Sequence, residues 1–276
     1  MSLIEVRDLH RSYRRPRSSL FGGRDSVEAL RGVSFDVEAG ERFGIVGESG
    51  SGKSTLVRLL AALDTPTSGE IRFDGKRVNG VRERDLRFLR EEMQIVFQDP
   101  MGSLDPRMRV RDIVCETLGR APDRHERVTE LLDAVGLPAD AAGRYPHQFS
   151  GGQRQRISIA RALAPRPKVL LADEAVSALD VLVRKQILDL LADLVDRFDL
   201  TLVFVSHDLA VVRHLCDRVA VMRAGEIVEQ GPVDTVYDEP EHEYTRELIA
   251  AAPRLRDALA RLGTQPQNQS QSYEED

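Results

Sequence analysis

The segment Gly47-Glu-Ser-Gly-Ser-Gly-Lys-Ser-Thr55 fits the spacing G-x-x-x-x-G-K-[ST]. A bound polyphosphate needs many hydrogen-bond donors at short range. Backbone N–H groups supply them where side chains are absent, and Gly47, Gly50 and Gly52 meet that need. A helix beginning near Lys53 would point its partly positive end at the phosphates. Lys53 would reach the β- and γ-phosphates of a nucleoside triphosphate, and Ser54 would ligate Mg²⁺. The competing reading is a glycine-rich turn carrying a solvated lysine. The segment lies, however, between an apolar run (residues 43–46) and a helical spacing of Leu56, Leu59, Leu60 and Leu63, which is the context a phosphate site requires.

Two acids, Asp173 and Glu174, end the apolar run Val169-Leu-Leu-Ala. In an open parallel sheet, ligands bind at the carboxyl ends of strands. Asp173 would there hold Mg²⁺ through water, and Glu174 would orient or deprotonate an attacking water. Taken alone, the pair reads more simply as a helix cap; the upstream phosphate loop favours catalysis. His207 ends a second apolar run, Thr201-Leu-Val-Phe-Val-Ser, where it could hydrogen-bond a γ-phosphate or serve only the structure. Ser150-Gly-Gly-Gln153 opens a helix that also carries Arg154, Arg156 and Arg161. It is either a plain capped N-terminus or a second anion site. Since one phosphate cradle is already complete, a second makes sense if it covers a nucleotide held by another subunit.

The elements that must position these groups alternate. Strands are expected over residues 3–13, 27–38, 43–46, 70–74, 93–97, 169–172, 201–205, 218–222 and 226–230. Helices are expected over 53–63, 84–92, 152–163, 181–198 and 208–216. Such alternation implies an α/β chain with a largely parallel sheet covered by helices on both faces. Residues 14–26, with four Arg, three Ser, two Gly and one Pro, read as an exposed loop. Between residues 98 and 148 five prolines punctuate short helical runs (111–119, 123–135), which suggests a helical subdomain inserted into the sheet domain. Residues 232–253 read as a helical appendage, and 263–276 as a disordered tail.

Composition removes other classes. The chain has 276 residues, of which 41% are hydrophobic and 30% charged, a balance that fits a folded rather than a disordered chain. No stretch approaches the roughly 18 apolar residues of a membrane helix. A formal charge of -6, from 39 basic and 45 acidic residues, argues against a general nucleic-acid binder. Cys115 and Cys216 are the two cysteines, with no CxxC spacing, so a disulfide framework or zinc site is not expected and a reducing cytosol is.

Taken in order, the phosphate loop, Gln98, Phe149-Ser-Gly-Gly-Gln153, Asp173-Glu174, Ser177-Ala-Leu-Asp180 and His207 resemble the motifs of ABC-type ATPases, over roughly residues 3–253. The resemblance implies a P-loop NTPase fold of the ABC nucleotide-binding kind: a mostly parallel core sheet, an antiparallel β subdomain and an inserted helical subdomain (about 98–165) within an ATPase domain spanning 1–231. It implies that two such domains pair head to tail with ATP and Mg²⁺ between them. Gly47, Glu48, Ser49, Gly50, Ser51, Gly52, Lys53, Ser54 and Thr55 would bind the nucleotide, Thr55 at the α-phosphate, and Tyr13 would stack on adenine. Ser150, Gly151, Gly152 and Gln153 would meet the γ-phosphate held by the partner, and Asp180 would link the two sites. Glu174, His207 and Gln98 would be catalytic, with Ser54, Gln98 and Asp173 around the metal.

Finer stretches narrow the resemblance. Val46-Gly-Glu-Ser-Gly-Ser-Gly-Lys, Val96-Phe-Gln-Asp-Pro-Met-Gly-Ser-Leu-Asp-Pro-Arg107, Ala172-Asp-Glu-Ala-Val-Ser-Ala-Leu-Asp-Val181 and His242-Glu-Tyr-Thr-Arg-Glu-Leu248 are similar to dipeptide/oligopeptide (and nickel) importer ATPases. That group implies a C-terminal appendage (232–262), a second ATPase subunit that is a paralogue or a second copy, two transmembrane permease subunits, and an extracytoplasmic solute-binding protein reached through them, with no nucleic-acid partner. The place of action would be the cytoplasmic face of the cell membrane. Phe149, Gln148 and residues 182–185 depart from the group's usual residues, none in a way expected to abolish hydrolysis. No Cys follows Cys216, so no iron–sulfur cluster is expected. Peptide import is the first expectation, nickel or another small solute the second, and a soluble ABC ATPase of DNA repair or translation the third.

Overall fold

The computed structural model describes residues 2–14, 26–118, 123–177 and 179–251. Most of the loop expected at 14–26, the end of the appendage and the tail expected at 263–276 lie outside the described residues, as does Ala178. The first two strands are long: β1 (Ser2–Arg14) pairs antiparallel with β2 (Ser26–Glu38), and Leu3, Ile4, Val6, Leu9, Leu30, Val33, Phe35 and Val37 are buried from this ribbon. β3 (Arg42–Val46) starts the second sheet and leads through the phosphate loop into α1 (Lys53–Leu60). β4 (Ser68–Phe73) and the short β5 (Lys76–Arg77) then return to the first sheet, giving it the order β2-β1-β4-β5, all antiparallel.

From α2 (Arg87–Glu92) the chain enters β6 (Met93–Val96), then leaves the sheet for α3 (Pro100–Ser103), α4 (Val110–Cys115), α5 (Arg124–Ala134) and α6 (Gly151–Leu163). α6 is the spine of this helical stretch, packing on α3, α4 and α5 and against the next helix of the chain. The sheet resumes with β7 (Val169–Asp173), α7 (Val181–Arg197), β8 (Thr201–Ser206), α8 (Leu209–Leu215), β9 (Arg218–Arg223) and β10 (Glu226–Pro232), followed by α9 (Val233–Asp238) and α10 (Glu243–Ala251). The second sheet has the order β10-β9-β3-β8-β7-β6, parallel except for the β9/β10 hairpin at its edge.

The interiors of β7 and β8 are apolar at consecutive positions because both faces are covered. In β7, Leu170 and Ala172 point into a core formed with α4 to α10, while Val169 and Leu171 point into a second core formed with α1, α2 and the antiparallel sheet. β8 divides the same way: Leu202 and Phe204 face the first core, Val203 and Val205 the second. An alternating pattern would have left one face to water; these runs permit neither. The α/β fold with a mostly parallel core sheet and a separate antiparallel sheet is as expected. Residues 76–77, with no apolar signature of their own, form a strand only because β4 offers an edge. The expected helix at 53–63 closes earlier, at Leu60, where Ala62 takes a left-handed backbone (φ 50).

Close packing between β3 and α8 leaves no room at Gly44, where an added Cβ would lie 2.2 Å from a methyl carbon of buried Val212. Gly44→Ala should therefore lower the unfolding free energy by about 1–3 kcal/mol, measured by urea titration, through displacement of α8.

Candidate functional site

Four parallel strands deliver the chemistry to one edge. β3, β8, β7 and β6 lie side by side, and their carboxyl ends lead directly into the phosphate loop, His207, Glu174 and, two residues past Val96, Gln98. The loop leaves Val46 and turns tightly against its neighbours. A Cβ on Gly47 would come within 2.2 Å of the Met222 carbonyl oxygen, and one on Gly52 (φ 108) within 2.5 Å of the Ala29 carbonyl oxygen. Glycine is required at both places by backbone approach. Gly52 caps α1 in a left-handed conformation with no side-chain acceptor, and the first turn of the helix carries no acidic residue. The N–H groups of that turn are thus left to an incoming anion.

Lys53 is the chemical centre of the loop and is only 4% exposed. Its Nζ donates to the carbonyl oxygens of Gly47 (2.6 Å) and Glu48 (2.8 Å). Burial pushes its ammonium below the ordinary lysine range, opposed by the charges of Glu174, Asp173 and Glu48. Ser51 is buried beside it; Ser49, Gly50 and Ser54 are exposed, and Thr55 half-buried. The Ser51 carbonyl accepts the Gly225 N–H (2.9 Å) from the β9/β10 turn.

Asp173 ends β7 with its Oδ1 buried and without a hydrogen-bond partner. Burial first, then the Glu174 charge, raise its carboxyl above the ordinary aspartate range, against Lys53 and Arg58. A buried carboxylate oxygen with no hydrogen-bond partner has the chemistry of a cation ligand. The residues expected around the metal, Asp173, the exposed Ser54 hydroxyl and the exposed Gln98 carboxamide, offer only oxygen donors, a chemistry that suits Mg²⁺. Glu174 follows in a left-handed backbone (φ 47), fixed by its own N–H to the Val205 carbonyl (3.0 Å) and by the Ser177 hydroxyl on its carbonyl (3.0 Å). The Nδ1 of His207 stands 3.7 Å from Glu174 Oε2, and both line a shallow pocket with Ser206, Asp208 and Arg184.

The segment expected to be a second anion site, Ser150–Gln153, stands at the start of α6. Ser150 Oγ accepts the Gln153 N–H (3.3 Å) and Gln153 Oε1 accepts the Ser150 N–H (3.0 Å), a capping box that consumes lone pairs but leaves the Ser150 proton to donate. Ser150, Gly151 and Gln153 are exposed and Gly152 is half-buried. Gly152 packs on α7: a Cβ there would meet a Val183 methyl at 2.5 Å. Asp180 caps α7, its Oδ1 accepting the Val183 N–H (3.0 Å). The Ser150–Gln153 and Ser177–Asp180 segments therefore belong to one surface.

Tyr13 stands apart from the loop among the described contacts. Its hydroxyl donates to Asp64 (2.7 Å), which also holds Arg11 through two bonds, and the Arg11 guanidinium covers one ring face at 4.4 Å. Two residues near the site escaped the sequence reading. Arg184, within the unusual 182–185 stretch, donates to the carbonyls of Ser177 and Leu179 (3.4 Å each) and supports that segment; an Arg four residues after a helix cap was the available signal. Tyr244 accepts the Glu48 N–H with its hydroxyl (2.9 Å); no spacing rule connects residues so distant.

Comparison with known proteins shows what the chain is similar to. The "ABC transporter" family matches residues 30–177, and "Oligopeptide/dipeptide transporter, C-terminal region" matches 228–275. The di/tripeptide transport ATP-binding protein DppF of Pseudomonas aeruginosa is 47% identical, covering 92% of this chain and 80% of that protein. The oligopeptide transport ATP-binding protein AppF of Bacillus subtilis is also 47% identical, over 92% and 79%. Among solved structures, the ATP-binding cassette MJ0796, in a dimeric post-hydrolysis state bound to ADP and Pi, superposes with a TM-score of 0.73 at 32% identity, covering 83% of this chain and 98% of that one. CbiO1 from Clostridium perfringens, part of the ABC transporter complex cbiONQ, gives 0.75 at 29% identity, over 94% and 99%.

The buried Asp173 fixes a pH signature. Its folded carboxyl titrates above 3.8, so at neutral pH the nucleotide-free fold carries a desolvated charge that the unfolded chain does not. Asp173→Asn should raise the melting temperature at pH 7. The gain should shrink as pH falls through the raised titration of the folded carboxyl and vanish well below 3.8, where the wild-type carboxyl is protonated in both states. Parallel thermal melts across this range measure it.

Proposed function

This chain belongs to the ABC transporter family, and from that premise we propose that it is the ATP-hydrolysing subunit of an importer of di- or oligopeptides. The observation that carries the ATPase part is the delivery of a buried lysine, two carboxylates and a histidine to one carboxyl edge of one sheet. The peptide part rests on the C-terminal region matched at 228–275 and on the peptide-transport relatives.

The loop N–H groups and Lys53 bind the phosphates of ATP. Ser54, Asp173 and Gln98 would hold Mg²⁺, which when bound would neutralise charge on the phosphate oxygens. Glu174 takes a proton from the attacking water as the bond to the γ-phosphorus forms, and the β,γ-bridging oxygen leaves with ADP. His207 donates to the γ-phosphate and stands beside Glu174, which keeps the carboxylate aimed at the water. Tyr13 takes adenine on the ring face not covered by Arg11. Ser150, Gly151, Gly152 and Gln153 close on a nucleotide held by a second ATPase subunit, and Asp180 joins the two sites. Since γ-phosphate contacts come from both subunits, its loss on hydrolysis favours opening.

In this reading residues 1–231 form the ATPase domain, 98–165 its helical subdomain, 232–262 the appendage and 263–276 a tail. No helix among the described residues is long and apolar enough to cross a membrane. Passage is supplied by two permease subunits, which the chain meets at the cytoplasmic face of the membrane and which receive solute from an extracytoplasmic binding protein.

Glu174→Gln should cut ATP hydrolysis by at least about 10²-fold, the scale of a lost general base, while ATP binding persists. Size-exclusion chromatography with Mg-ATP should show the variant held as a dimer. Hydrolysis at the wild-type rate would refute the assignment.

A further inference from the structure

The C-terminal region reaches the phosphate loop through one side chain. After α9 the chain turns at residues 239–242 into α10, and the turn is braced on both sides. The Glu229 carboxylate, on β10, accepts the N–H groups of Glu241 (2.9 Å) and His242 (3.1 Å). His242 Nδ1 accepts the Tyr244 N–H (3.1 Å), and Arg246 donates to the carbonyls of Pro240 (3.1 Å) and Glu241 (2.8 Å). Tyr244 then enters the core, 2% exposed, with the Arg223 guanidinium 4.8 Å from its ring centre.

Its hydroxyl accepts the N–H of Glu48 at 2.9 Å, across 196 residues of sequence. Glu48 is not a neutral place to hold. Its own carbonyl oxygen accepts from Lys53 Nζ (2.8 Å) and from the Ser51 N–H (3.2 Å). The residue fixed at its N–H by Tyr244 therefore presents its carbonyl to the buried lysine. A tyrosine that merely filled space would carry a buried hydroxyl at a cost, and phenylalanine would fill the space as well. The bond from Gly225 N–H to the Ser51 carbonyl fastens the far side of the loop, so two tethers, one from the β9/β10 turn and one from α10, define its shape.

We propose that Tyr244 is a positioning residue of the phosphate loop, through which the C-terminal region of this chain sets its affinity for ATP. It acts by way of Glu48 and does not touch the nucleotide. A loop held in shape before binding need not be ordered by the ligand, and the affinity gained is the ordering cost avoided. The proposal rests on the reading of this loop as an ATP site.

Full-length Tyr244→Phe keeps the ring and the core packing and removes the tether. In the nucleotide-free protein, amide hydrogen exchange at residues 47–52 should be roughly tenfold faster than in the wild type, with β7 and α8 unchanged. The KM for ATP should rise roughly three- to tenfold, the scale of one lost neutral hydrogen bond, with kcat within about twofold. Unchanged loop exchange would overturn the tether. Faster exchange with an unchanged KM, or a fall in kcat and melting temperature with KM unchanged, would overturn the role in affinity. A wild-type chain that failed to bind ATP would sink the underlying reading and this one together. The exchange comparison, made without nucleotide, tells that failure from failure of the tether alone.

Discussion

A buried cation in the field of two half-buried carboxylates is the interaction around which this molecule is arranged. Lys53 loses water, and the charges of Glu174 and Asp173 offset part of the cost; Asp173 loses water, and Lys53 offsets part of that. The loop supplies carbonyl oxygens for the ammonium, whereas Asp173 Oδ1 has no such partner. The site thus sets a partnerless carboxylate oxygen near the N-terminal turn of α1, whose Gly52 cap brings no side-chain acceptor. A metal bound to a polyphosphate would suit both at once.

Such an arrangement requires rigid support, and the two-faced sheet provides it. β3, β8 and β7 are buried on both sides, so the residues that follow them emerge from a frame with little freedom. The antiparallel sheet contributes to the same end. Its β2 passes close enough for Ala29 to bound the loop at Gly52, and the Arg31 N–H binds the Gly225 carbonyl, whose own N–H holds Ser51. The Ser150–Gln153 segment is built differently. It is exposed, capped by its own residues and packed on the start of α7, so it is shaped before any partner arrives.

The sequence made the frame legible because the physical signals were local. Strands buried on both faces read as unbroken apolar runs, and Gly52-Lys53 between such a run and a leucine-spaced helix left few alternatives. What sequence reading could not reach was long-range closure. The reason Gly47 must lack a side chain is a carbonyl on β9, and the acceptor for Glu48 is a hydroxyl on the last described helix. Tyr244 drew attention only as part of His242-Glu-Tyr-Thr-Arg, a fingerprint without a mechanism. Arg184 lay in a stretch that differed from expectation, yet its guanidinium meets backbone carbonyls that any sequence would offer. Tyr13 was singled out for its place at a strand end; its bond to Asp64 and its cover by Arg11 come from side chains that no pattern joins to it.

Glu174 carries a last consequence. Its backbone lies in the left-handed region (φ 47), which a side chain enters at a cost of about 1 kcal/mol and glycine enters freely. Bonds to Val205 and Ser177 hold it there. A lineage selected for durability alone would drift toward glycine at this position and would relax the turn after β7. A glycine there would relax the turn and remove the carboxylate, so in the proposed reading stability and turnover pull in opposite directions at a single residue.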